Sequence, residues 1–390
     1  MFNLFNNIIA GIPVYFRLSD LSLNFIGDFI KWLVNYVGDV GLGIILFTIA
    51  LKFITLPLDV YSKASMRKNS LKMEKMRPQL EKLKKQYSND KAIYNQKMMA
   101  LYKKEGYSMF GACLPTLVTL VFFIIVLTAF QSYSKYATLK TFNDMRETYT
   151  NTVLEYTDYN ENIEDVNAST TLDEIELQKL VDDGKIDSAD EALATAFIKD
   201  QAREASAEVF RDVDLSFLWV KNIWISDNAT SHPVLSYTKF IATIKLTGDE
   251  SFSEAAYDEL TYNLGDEKSQ PNGFFIFIVL SIGVTMLSQW VLGKSQKASL
   301  ELQSIDGQGM QTQKMMMYIM PLMIGVFAFM YTSAFCIYMV SNSILTIITT
   351  LIINRIVEIK FNHNENNLEN EKLNSKYKKI ESGRYNKKIK

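Results

Sequence analysis

Few residues in this 390-residue chain are placed to do chemistry, and the one that stands out is a lysine. Lys52 lies in "FTIALKFITLPLDV" (47–60), a stretch apolar enough for the interior of a membrane. An ammonium at the centre of a spanning helix costs roughly 2.5–3.5 kcal/mol on insertion scales. Two readings are open for it. Lys52 stands five residues before Pro57, which at about 1.5 Å per residue puts it within snorkelling reach of a membrane surface. Alternatively, it lines a wet space. Other apolar stretches carry Thr116, Thr119, Thr285, Ser288, Gln289, Tyr338, Ser341, Asn342 and Ser343. Taken singly, each serves as glue between helices. Taken together, with no paired carboxylate in any span, they suggest a water-filled space with a positive end. A proton relay or cation pathway would want Asp or Glu there. The residues assigned to a groove for polar, preferably acidic, matter are Lys52, Thr116, Thr119, Gln289, Tyr338, Ser341 and Asn342.

Ordinary enzymology is not expected. Cys113 and Cys336 both fall inside apolar stretches, so neither a disulfide framework nor a cysteine metal site is available. His232 and His363 are far apart, and no glycine-rich nucleotide loop, nucleophile or metal signature is found. No cofactor is expected.

The elements that must position Lys52 follow from hydropathy and charge. The bulk figures, 48% hydrophobic residues and a net charge of −2, would suit a soluble protein. The apolar residues, however, gather in blocks of about 20, the length needed to cross hydrocarbon. Five spans are expected, at 39–58, 109–130, 273–293, 315–332 and 333–353. Residues 1–38 lack a basic start and a small-residue cleavage site, so no signal peptide is read there. Within them, Leu21, Phe25, Phe29, Leu33 and Val37 form a stripe that predicts an interfacial helix over 20–37, capped by Asp20.

The gaps between spans differ in sign. Residues 59–108 read as a helical hairpin, with Met66, Asn69, Met73, Met76, Leu80, Leu83 and Tyr87 as a coiled-coil seam. "SND" (88–90) is the turn, and Tyr94, Met98 and Leu101 face back from the second helix. Between 60 and 107, thirteen Lys and Arg oppose four Asp and Glu. Residues 131–272 invert this, with 12 Lys and Arg against 28 Asp and Glu. Helical patterns occur there at 172–182, 188–212 and 251–264, with apolar residues too few and too evenly spread to predict a tight core. A mobile start is expected around 156–170. A polar loop (294–314) and a basic tail (354–390) complete the chain. Because basic loops stay cytoplasmic, the hairpin and tail are expected inside, the N-terminus and acidic domain outside. The hairpin would also be drawn to anionic lipids.

This order of motifs resembles the YidC-type membrane protein insertase family. "ILFTIALKFITLPL" (45–58) is similar to its first core span, with Lys52 where an arginine is usual. "KMRPQLEKLKKQYSNDKAIYNQKMMALYKKEGYSMFGACLP" (75–115) resembles its hairpin and second span. "FLWVKNI" (217–223), "GVTMLSQW" (283–290) and "IYMVSNSILTII" (337–348) resemble later segments. Lysine keeps the charge but loses the planar fork. Thr119 and Val121 stand where glutamine and proline are common, and the long acidic insertion is unusual. The resemblance implies an all-α integral membrane protein with a five-span insertase-like core, a cytoplasmic helical hairpin and a mostly helical extracytoplasmic insertion. It implies insertion of short or single-span proteins into a bacterial cell membrane through a polar, positively charged groove open to cytoplasm and lipid. Nascent membrane proteins, the ribosome and the Sec translocon are the implied partners, and DNA is not expected. Two other classes stay open from the residues alone: a small anion transporter, which would normally show repeats or broken helices, and a scaffold or sensor with a coiled-coil output.

Overall fold

The computed structural model describes residues 23–107, 110–156, 174–244, 253–303, 319, 325–327 and 331–387, with side chains left out at 70, 110–120, 174–177, 191, 295–303 and 361–387. The described chain is helical. Pairing of the strand type is confined there to one bridge, Phe217 with Val220. It divides into two compact units. One comprises Met1–Phe47, Ile124–Leu280 and Gly325–Tyr338, the other Thr48–Phe123, Ser281–Ile324 and Met339–Lys390.

In the first unit, α1 (Phe25–Val37) is capped by Asn24, whose side chain accepts from the Gly27 amide. The helix therefore begins inside the expected 20–37, and Asn24 takes the capping role assigned to Asp20, which lies outside the described residues. Its covered face is Gly27, Ile30, Leu33 and Val34, so that of the expected stripe Leu33 is buried and Phe25 is exposed. Phe25, Trp32 and Tyr36 are exposed, which suits rings lying at a membrane surface.

The acidic region has the core that its composition seemed to deny. Helix α4 (Phe110–Tyr156) does not stop at residue 130. It continues as a stalk onto which α6 (Glu191–Asp212), α7 (Tyr237–Ile244) and α8 (Glu254–Leu260) pack. Leu139, Phe142, Tyr149 and Val153 of the stalk meet Ile198, Ala202, Phe240, Ile244, Tyr257 and Leu260. The stalk supplies the apolar face that the shorter helices lack, so no one segment needs a dense stripe. A second patch joins Leu180 of α5 (Glu174–Asp182) to Ile186 and Ala194. The mobile start expected at 156–170 falls almost wholly outside the described residues, and α9 (Gly265–Ser269) closes the domain.

A polar junction ties the stalk to the neighbouring helices of the same unit. The Asn222 side chain donates to the Pro233 carbonyl, and Asn272 donates to the carbonyls of Asn222 and Ser226. Ser134 of the stalk donates to the Trp224 carbonyl, and Ser333 to that of Ile225. Asp227 is fully buried and its carboxylate accepts from the amides of Phe274 and Phe277 at 2.8 and 2.6 Å. It thereby satisfies free donors at the start of α10 (Ile276–Gln303). Two glycines permit this packing. A Cβ on Gly273 would lie 1.9 Å from the Asp227 carboxylate, and one on Gly41 the same distance from the Phe217 ring.

In the second unit, the hairpin forms as the seam predicts. Met73, Met76 and Leu80 of α2 (Val40–Gln86) pack with Leu101 of α3 (Lys91–Lys104), and Asp90 caps α3. One expectation is corrected. The helix that carries the first span does not stop at Pro57, because α2 runs unbroken through both Pro57 and Pro78. A proline removes one backbone bond, a loss that helices at membrane depth tolerate when neighbouring groups compensate. Among the described residues, three helices are long and apolar enough to cross a membrane: Val40–Gln86, Ile276–Lys294 and Ser333–Lys360, the last within α11 (Ser333–Lys387). The expected span at 109–130 is helical from Phe110, but most of its side chains lie outside the described residues. The expected span at 315–332 falls mostly outside them as well.

Candidate functional site

The continuity of α2 decides the environment of Lys52. Because the helix passes Pro57, Asp59 falls two turns beyond Lys52 on the same face, about 10 Å along the axis. The ammonium contacts the Asp59 carboxylate at 2.8 Å and donates to Thr346 Oγ1 of α11 at 3.2 Å. The Lys52 side chain is only 10% exposed, and that of Asp59 27%. The sequence reading had no paired carboxylate in any span. Asp59, one residue past the expected end of the first span, supplies a partner from outside it.

The Thr346 contact places Lys52 against α11. Asn342 stands one turn before Thr346, on the same face, and Asn342 and Ser341 are half-buried. On α10, Thr285 shares a hydrogen bond of 3.2 Å with Ser343 of α11, both buried. These two act as the interhelical glue that buried hydroxyls provide in apolar surroundings. Gln289 follows Thr285 by one turn and is half-buried. Thr116 and Thr119 lie on α4, but their side chains are outside the described residues.

Tyr338 belongs to the other compact unit. Its ring packs at centroid distances of 5.5, 6.0 and 6.4 Å from Phe130, Phe335 and Phe47. These four side chains are buried together, so its immediate neighbours are aromatic. The structure thus brings Lys52 to α11, and it packs Tyr338 in an aromatic cluster.

Sequence reasoning missed Asp59 and Thr346. The signal for Asp59 was its spacing of seven from Lys52, hidden by reading Pro57 as a helix end. Thr346 carried no local signal at all. Among the described residues no cluster of His, Cys, Asp or Glu could hold a metal ion.

The apolar helix that carries Lys52 and the basic hairpin that follows it are two of the features that the sequence resemblance rests on. Comparison with known families bears this out: residues 32–161 and 213–361 match the family described as 60Kd inner membrane protein. The chain belongs to that family. Proteins named membrane protein insertase YidC are among its relatives. The one from Fusobacterium nucleatum is 42% identical over 101 residues, which cover 25% of this chain and 47% of that protein. The one from Caldanaerobacter subterraneus is 32% identical over 114 residues, 29% of this chain and 53% of that protein. In Cellvibrio japonicus, 96 residues are 40% identical, covering 25% of this chain and 17% of the relative. The chain thus spans about half the length of the first two.

The family match also narrows what is unusual here. It is interrupted only between 161 and 213, which holds all of α5 and α6. The stalk and the Asn222–Asp227 junction fall within matched residues. The departure from the 60Kd inner membrane protein pattern is therefore shorter than the whole acidic region.

Proposed function

We propose that this chain inserts proteins into a bacterial membrane, as the names of its relatives suggest, and that its clients are short or single-span proteins that it also helps to fold. The observation that carries the reading is Lys52, an ammonium enclosed within an apolar helix of a family member and bonded to a second spanning helix through Thr346. Moving a polar flank through about 30 Å of hydrocarbon leaves backbone groups unsatisfied at several kcal/mol each. A groove open to cytoplasm and lipid and closed outside would shorten that crossing. The polar flank would rest against Lys52, Thr119, Gln289 and Asn342 while the apolar segment leaves sideways. The membrane potential would assist acidic flanks by about 2.3 kcal/mol per charge per 100 mV.

In this reading the chain crosses the membrane five times, with the N-terminus and acidic domain outside. The basic hairpin and tail face the cytoplasm, where anionic lipids and ribosomal RNA phosphate are their counter-charges. Clients are nascent membrane proteins, delivered directly or with the Sec translocon. The step moves a chain between solvents and makes no covalent bond, so the protein acts as a chaperone rather than an enzyme.

Site-specific photo-crosslinking tests this. Probes at Thr119 and Asn342 should capture a ribosome-bound single-span chain, with the captured client position shifting as the chain lengthens. A folded, membrane-inserted protein that crosslinks no client at any length would contradict the reading.

A further inference from the structure

The Lys52–Asp59 pair lies within one helix and ties no two elements together. The tertiary contact at this point is the Thr346 hydroxyl on α11. The carboxylate therefore does little to hold the fold, and its effect is on the charge that Lys52 offers. Asp59 is the more accessible partner, at 27% exposure against 10%. Lys63 stands four residues beyond Asp59 and feels the charges of both Asp59 and Lys52. An acidic residue four positions before a lysine is the favourable helical order for a pair. Asp59 thus has a second cation within one turn if Lys52 is taken by another group.

We propose that Asp59 is a built-in competitor for Lys52: it occupies the lysine at rest, and an acidic residue in a client flank takes its place while Asp59 turns to Lys63. The competitor sets a threshold, so that only flanks whose carboxylates outbid a tethered one gain from the charge. This rests on the insertase reading above and adds a specificity-determining residue to it. The ligand class is a peptide carboxylate presented next to an apolar segment.

The test uses the full chain in membrane vesicles and two clients, identical except for a flank bearing three aspartates or three asparagines. The readout is the ratio of acidic to neutral client inserted. In Asp59→Asn the ratio should rise roughly two- to fivefold, the range for releasing a part-exposed ion pair. Combining Asp59→Asn with Lys52→Ala should cancel that rise. Asp59→Thr, which also lacks the charge, should match Asp59→Asn, and Asp59→Glu should stay near the unsubstituted protein. An unchanged ratio in both charge-free variants, with the neutral client still inserted, would overturn the competitor and leave the insertase reading standing. Failure of both variants to accumulate would show that the pair is needed for folding, and would overturn it too. If the unsubstituted protein inserts neither client, the insertase reading itself fails.

Discussion

Glu259 and Asp59 each meet a cation at hydrogen-bond distance, and the two pairs are built to opposite ends. Glu259 accepts from Arg203 through both oxygens at 2.9 and 2.6 Å, and again from the Tyr149 hydroxyl at 2.9 Å. The Arg203 guanidinium also lies over the Tyr262 ring at 4.0 Å. These contacts join α4, α6 and α8, and the fork of arginine fixes both partners. Lys52 and Asp59 share a single contact along one helix. A forked pair that links three helices is suited to holding a fold. A single-point pair within one helix can be exchanged for another partner at small structural cost. The difference locates the fixed part of the molecule in the acidic domain and a replaceable charge in the apolar helix.

Substitutions can sharpen or break that comparison. The largest effect is expected from Phe240→Ala, which empties the centre of the stalk cluster. It should destabilise the acidic domain by about 3–5 kcal/mol, read as faster hydrogen exchange of α6 amides in the full chain. If exchange there is unaltered, the stalk core does not carry the domain. Glu259→Gln leaves Arg203 without its charged partner and should cost about 2–3 kcal/mol by the same readout.

Acid should reproduce part of that loss. Burial acts to raise the Glu259 carboxyl, but bonds from Arg203 and Tyr149 outweigh it and hold the group below its usual range. A carboxyl depressed in the folded state adds stability above its unfolded value of 4.5, and that stability fades as pH falls towards the folded value. Protection of the α6 amides, taken relative to their intrinsic exchange rate at each pH, should therefore fall below about pH 4.5 in the unsubstituted protein, and much less so in Glu259→Gln. Asp59→Asn should change thermal stability by less than about 1 kcal/mol. A loss as large as that of Glu259→Gln would erase the contrast between the two pairs. Thr285→Ala, which removes one interhelical bond, should cost about 0.6 kcal/mol.

Much of this was legible in the sequence, and the reasons for the rest are physical. The hairpin seam was readable because Met73, Met76 and Leu80 repeat at helical spacing and pack with Leu101 of the returning helix. The acidic domain's core was not, because its apolar face is assembled from residues as distant as Phe142 and Tyr257, and no single helix shows it. The lysine's position was plain, but its partners were obscured. Pro57 suggested a break that the helix in fact runs through, and Thr346 is brought near only by tertiary packing. The Asp227 cap was equally hidden, since it serves a helix start 50 residues away in sequence.

The central claim is tested most directly by reconstitution. The full chain, purified into lipid vesicles with no other protein, is offered a single-span client made in vitro, and protease protection of the translocated flank is measured against empty vesicles. The account predicts a protected fragment that scales with the amount of protein, and a smaller yield of the acidic-flank client when Lys52 is replaced by alanine. Equal protection in loaded and empty vesicles would contradict it.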